Sequence, residues 1–148
     1  VTDDGEHLVI SIVVGTDDRY SIVHQDLTDP GAEPVMIIEG FDYDYTLVGN
    51  IGDELYFRTN NGAPRNRLIA INTRQPDPAN WREVIPEAEN VLDSASLVGG
   101  KIIANYMQDA QTIVKIFSLR LDQTDSPVGC KDIAQLRFGL FKGDVECR

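Results

Sequence analysis

A chain of 148 residues with 13 basic and 24 acidic side chains carries a net charge of −11. That charge excludes nucleic acid or an anionic membrane as the main partner, because a phosphate backbone would be repelled. At 42% hydrophobic residues the chain can bury one modest core, which excludes a disordered acidic tail, and its longest apolar run (residues 8–15, broken by Ser11) is far too short for a membrane span.

The sequence opens at Val1 rather than Met and shows no charged-then-apolar leader, so it is expected to be processed or a piece of something longer. Residues 8–13 form a β-branched run predicted to be a strand buried on both faces, and a second run follows over 20–27. Asp29-Pro30-Gly31 marks the next turn. A complete unit then reads as four strands over 45–49, 54–59, 67–73 and 82–85. Asn60-Asn61-Gly62 and Gln75-Pro76-Asp77-Pro78 separate them. Three more strands are predicted over 92–98, 101–107 and 112–119, with no recognisable fourth. No stretch before residue 130 has helical apolar spacing.

These units repeat. Gly5, Gly52 and Gly99 each sit in a turn, and the two spacings are both 47 residues. Leu8, Leu55 and Ile102 keep step with them, as do Val9, Tyr56 and Ile103. A period near 47 suits propeller blades or helical repeats, and the β-branched, aromatic strands decide for blades. The fold class is therefore all-β: a partial β-propeller of about three four-stranded antiparallel blades, the first lacking its opening strand. Closed rings need four to eight blades. An open arc leaves strand edges bare, so the chain is expected to be part of a larger protein or to assemble with copies of itself.

The last residues break the pattern. Residues 1–119 hold eight basic and nineteen acidic side chains, whereas 120–148 hold five of each and both cysteines, Cys130 and Cys147. The domain reading is a propeller portion over 1–119 and a divergent tail over 120–148, either foreign to the repeat or a natural capping segment. Two cysteines so close to one end, without a CxxC, suggest incidental thiols.

Several segments resemble the N-terminal seven-bladed propeller domain of the prolyl oligopeptidase family. Asp3-Asp4-Gly5-Glu6-His7-Leu8-Val9-Ile10-Ser11-Ile12 is similar to the family's S-x-D-G-R-Y-L-h-I-S strand, although Val13-Val14 stand where the family has a bulky or basic residue followed by Glu. Residues 41–49, 53–59 and 63–68 resemble the next blade. Most specific is Pro76-Asp77-Pro78-Ala79-Asn80-Trp81-Arg82-Glu83-Val84-Ile85-Pro86-Glu87, which resembles D-P-x-x-W-x-x-V-I-P-E, and residues 101–109 resemble the strand and loop that follow. The resemblance covers residues 1–119 and implies a serine peptidase that cleaves short peptides after proline, its propeller capping an α/β-hydrolase catalytic domain.

The chemistry of that catalytic domain is not encoded in these residues. No G-x-S-x-G elbow occurs, the serines fall mostly inside strands, and His7 and His24 are the only imidazoles, each read as an ordinary strand residue. No catalytic residue is expected. Asp17-Asp18 and Asp42 with Asp44 are candidates for calcium or acid–base work, but they lack the D-x-D-x-D-G loop and read as solvated turns. Gly99-Gly100 is a hairpin turn rather than a phosphate loop, and Trp81 reads as a packing anchor. Neither a metal nor a cofactor is expected. From the resemblance alone, Gly15, Thr16 and Asp17 match a loop facing the catalytic domain that lines a distal substrate subsite; a generic inter-strand loop is the alternative.

Two functions follow as expectations. The chain is the lid portion of a prolyl oligopeptidase-like peptidase, with the catalytic domain and short proline-containing peptides as partners. Alternatively it is a non-catalytic propeller-type module that self-associates through open blade edges or binds a protein partner; a truncated product without function is the blandest outcome. The composition fits a cytoplasmic or a periplasmic protein alike.

Overall fold

The computed structural model describes residues 1–109 and 111–119, together with the backbone of 134–137. Strands β1 (His7–Val13), β2 (Tyr20–Asp26) and β3 (Val35–Ile38) form sheet one. Sheet two holds β4 (Tyr45–Ile51), β5 (Glu54–Thr59), β6 (Arg67–Asn72) and β7 (Arg82–Ile85) in that order. Sheet three holds β8 (Val91–Val98), β9 (Lys101–Gln108), β10 (Gln111–Ser118) and β11 (Ala134–Arg137). Every pairing is antiparallel between chain neighbours, the up-and-down order expected of propeller blades. A single 3-10 turn, Pro78–Asn80, is the one helical element among the described residues, capped by the Asp77 carboxylate accepting from the Ala79 N–H.

The repeat is physical as well as numerical. Ile51 pairs with Glu54 and Val98 with Lys101, so two-residue turns close both hairpins. Gly52 and Gly99 begin these turns at φ of +52° and +55°, a conformation that a side chain penalises. The first strands of sheets two and three also share a bulge, between Leu47 and Gly49 and between Leu92 and Ser94.

Alternation along β5 and β6 divides the core in two. Leu55, Phe57, Ile69 and Ile71 turn to sheet one and pack with Ile22, Ile37, Ile38 and Tyr45. Tyr56, Leu68 and Ala70 turn to sheet three and pack with Leu92, Ile102, Ala104, Tyr106, Ile113 and Phe117. Sheet two is thus covered on both faces, which explains why its strands read as almost unbroken apolar runs. β1 behaves differently from its predicted burial on both faces. Ile10 and Ile12 are exposed, because among the described residues no sheet covers the far side of sheet one, and Val13 is exposed at the end of the strand.

Sheets two and three approach closely at Gly49, whose φ is +155°. A Cβ built there would lie 3.0 Å from Leu97 Cβ. Gly49→Ala should therefore strain both the backbone and the seam, costing about 1–3 kcal/mol in a denaturant titration; an unchanged midpoint would show that the seam is loose.

Two strands escaped the sequence reading. β3 is only four residues long, and β11, whose Ala134-Gln135-Leu136-Arg137 contains one large apolar residue, gives too short an alternation to register. β11 supplies sheet three with the fourth strand that the apolar pattern does not single out, pairing Arg137 with Ile113 and Ala134 with Ile116. The remainder of the 120–148 tail, including Cys130 and Cys147, lies outside the described residues.

Candidate functional site

Up-and-down strand order sends alternate loops to opposite ends of the sheets. One end gathers the β1–β2 loop (14–19), the β3–β4 connection (39–44) and the β5–β6 loop (60–66). Tyr20 N–H donates to Tyr43 O at 3.0 Å and the Ser21 hydroxyl to Gly40 O at 2.6 Å, tying the first two loops together.

Gly15, Thr16 and Asp17 all lie in the first of these loops. Gly15 and Thr16 are exposed, and Asp17 is held by Arg19, whose Nε reaches both carboxylate oxygens at 2.9 Å. That hydrogen-bonded guanidinium lowers the Asp17 pKa below the ordinary carboxylate value. Asp44 is the more buried acid of this end. Burial pushes its pKa up against the opposing charge of Arg58, whose Nη2 lies 2.8 Å away and also donates to Thr46 Oγ1 at 3.1 Å. The end therefore presents Asp17, Asp18, Asp42 and Asp44 as an acidic rim on which two carboxylates are tied to arginines. The two acid pairs singled out in sequence lie near one another, Asp18 adding to the rise at Asp44, yet no group of three or more His, Cys, Asp or Glu side chains suited to a metal occurs among the described residues.

The opposite end holds a cluster that sequence reasoning missed. His7 and His24 are 2% and 6% exposed, and their rings meet with His7 Nδ1 2.9 Å from His24 Nε2. His7 Nε2 lies 3.0 Å from Gly52 O on sheet two. A carbonyl only accepts, so His7 Nε2 is the donor to Gly52 O, and between two neutral rings the remaining bond then runs from His24 Nε2–H to His7 Nδ1. Desolvation, followed by the neighbouring His7, holds the His24 pKa below its ordinary value. The available signal was register: His7 pairs with Asp26 and Val9 with His24, which puts both imidazoles on one face of one hairpin. Beside them Asn50 Nδ2 donates to Asp4 Oδ2 at 2.5 Å, again from sheet two to the segment before β1. Asp4 is lowered to about 2, chiefly by the Thr2 hydroxyl and then by Asn50.

The model of the prolyl oligopeptidase N-terminal β-propeller domain matches residues 1–142. The chain belongs to this family. Among curated relatives, the prolyl endopeptidase of Elizabethkingia meningoseptica is 34% identical over 115 residues, covering 78% of this chain and 16% of that enzyme. The Dictyostelium discoideum prolyl endopeptidase is 35% identical over 91 residues, covering 55% of the chain and 12% of the enzyme. A solved prolyl endopeptidase structure superimposes with a TM-score of 0.71 at 28% identity, over 80% of this chain and 17% of that one. The three sheets are thus blades of a prolyl oligopeptidase propeller, and the chain spans about one sixth of its curated relatives. The family match runs on past Leu119, and no helix of the described residues is long and apolar enough to cross a membrane.

Proposed function

We propose that the chain supplies blades of the lid over a serine peptidase that cleaves short peptides after proline, and that Gly15, Thr16 and Asp17 line the rim toward the α/β-hydrolase domain. The observation that carries this reading is the arc itself: three consecutive blades, matched by the propeller family over residues 1–142. A ring of such blades excludes folded proteins sterically while a short flexible peptide passes. The acidic rim of Asp17, Asp18, Asp42 and Asp44 then disfavours acidic peptides. Ile10 and Ile12, 43% and 38% exposed, lie on the face that a preceding blade would cover. That same exposure favours the second reading, in which another copy of the chain packs there.

A chimera tests the lid reading. The matched segment of the Elizabethkingia meningoseptica prolyl endopeptidase is exchanged for residues 1–119, and cleavage of a short and a long proline peptide is compared. The expected result is an active peptidase that retains its preference for the short peptide, while the isolated chain hydrolyses neither. Serine-reagent-sensitive turnover by the isolated chain, or a folded chimera that has lost its size discrimination, would sink the proposal.

A further inference from the structure

A groove of about 570 Å³ opens between sheets one and two, walled by the end of β3, the connection into β4 and the loop preceding β7. Its aromatic wall is firmly placed. Trp81 Nε1 donates to Pro76 O at 2.8 Å, and its ring meets Tyr45 edge-on at 6.0 Å between centroids. Met36 and Tyr43, 42% and 40% exposed, form the open side. Three carboxyl-bearing residues, Glu39, Asp42 and Asp77, share the lining, and no lysine or arginine does so among the described residues. Arg19, whose pKa is raised chiefly by Asp17 and in small part by the Asp42 charge, lies outside the lining, and its guanidinium is engaged by Asp17 through Nε and Nη2. Asp77 keeps one oxygen on the Ala79 N–H and leaves the other available.

We infer that this groove is a docking site for an extended peptide segment bearing arginines at alternate positions. Two independent features select that occupant. Carboxylates beside aromatic faces, with no lysine or arginine among the lining residues, suit a guanidinium, which stacks on a ring and donates its N–H groups to a carboxylate at its edge. In addition, β3, whose Met36, Ile37 and Ile38 line the groove, pairs only with β2 among the described strands, so its outer edge is left unpaired. An added strand would place every second side chain on the groove side, which is how two arginines reach the acidic residues together. The site is built entirely from this chain and does not depend on the lid reading.

Trp81 is the sole tryptophan of the sequence, so intrinsic fluorescence reports directly on the groove. The purified chain is titrated with acetyl-Ala-Arg-Ala-Arg-Ala-amide, with its citrulline and glutamate counterparts, with an N-methylated version and with arginine amide. The expected result is a saturable change for the arginine peptide alone, weakened about five- to tenfold in the Glu39→Gln/Asp42→Asn double variant. That variant keeps most of the negative charge, so general attraction of a cationic peptide predicts no such loss. An equal response to the glutamate peptide, an unaffected double variant, or no saturable change overturns the proposal. Binding by arginine amide as tight as by the peptide, or unimpaired by N-methylation, overturns the strand-addition mode. Circular dichroism of the double variant confirms that it is folded, and Thr28→Ala, remote from the groove, serves as a second folded control expected to bind like the parent chain.

Discussion

Replacing Phe57 by alanine is expected to lower the free energy of unfolding by about 3–5 kcal/mol. Phe57 is fully buried, lies opposite Ile69 across the β5–β6 pair, and projects into the core shared by sheets one and two. Its removal takes away the transfer free energy of a ring and leaves a cavity that the flanking strands cannot close, since both are held in ladders. Domains of this size are stable by only about 5–15 kcal/mol, so the variant should unfold at a markedly lower urea concentration. Ile10→Ala is the matched control. Ile10 is 43% exposed, and its loss should cost below about 1 kcal/mol. Equal effects of the two substitutions would mean that the packing between sheets one and two contributes little.

Acidification from pH 7 to pH 5 is expected to destabilise the chain through the buried imidazole pair. The folded state holds the His24 pKa below its ordinary value, so on lowering the pH through about 6.5 the unfolded chain takes up a proton that the folded chain resists. Stability is therefore fully present above that pH and is lost as the pH falls toward the folded pKa. The slope is at most about 1.4 kcal/mol per pH unit for one proton. Burial and the neighbouring His7 drive the effect, while Asp26 and Asp53 oppose it without cancelling it. Asp4, Asp17 and Asp26, each lowered by hydrogen bonds, lose their contributions only at and below the ordinary carboxylate range, so they do not mask this window. Urea midpoints measured across pH 5–7 should show the slope in the parent chain and a flatter line in His24→Gln. An identical slope in both would place its origin elsewhere.

The architecture was legible because each of its determinants is local. Strands β5 and β7 fall where alternation and turn chemistry put them, and Gly52 and Gly99 mark the repeat through a backbone requirement that a side chain would violate. What was not legible depends on pairing between segments far apart in the chain. His7 and His24 look ordinary until the hairpin register sets them on one face, and Gly52 O completes the cluster from another sheet. The groove has the same character: Trp81 reads correctly as a packing residue, yet the face it leaves open becomes a wall only when β3 lies opposite. The acidic pairs sit in loops as their turn chemistry suggests, but the arginines that hold Asp17 and Asp44 come from pairings that the spacing of the acids does not announce.

Because sheet two alone is covered on both faces among the described residues, the three sheets are unequal in how they come apart. Sheet one lacks cover along β1, and Val91, Val98 and Met107 leave apolar surface exposed on sheet three, whereas opening sheet two exposes two cores at once. Backbone amides of β5 and β6 can therefore reach solvent only through a near-global opening, while those of β1 are freed by local fraying. The middle sheet acts as a keystone: the arc loosens from its flanks inward, and whatever seals those flanks governs how long the whole arc survives.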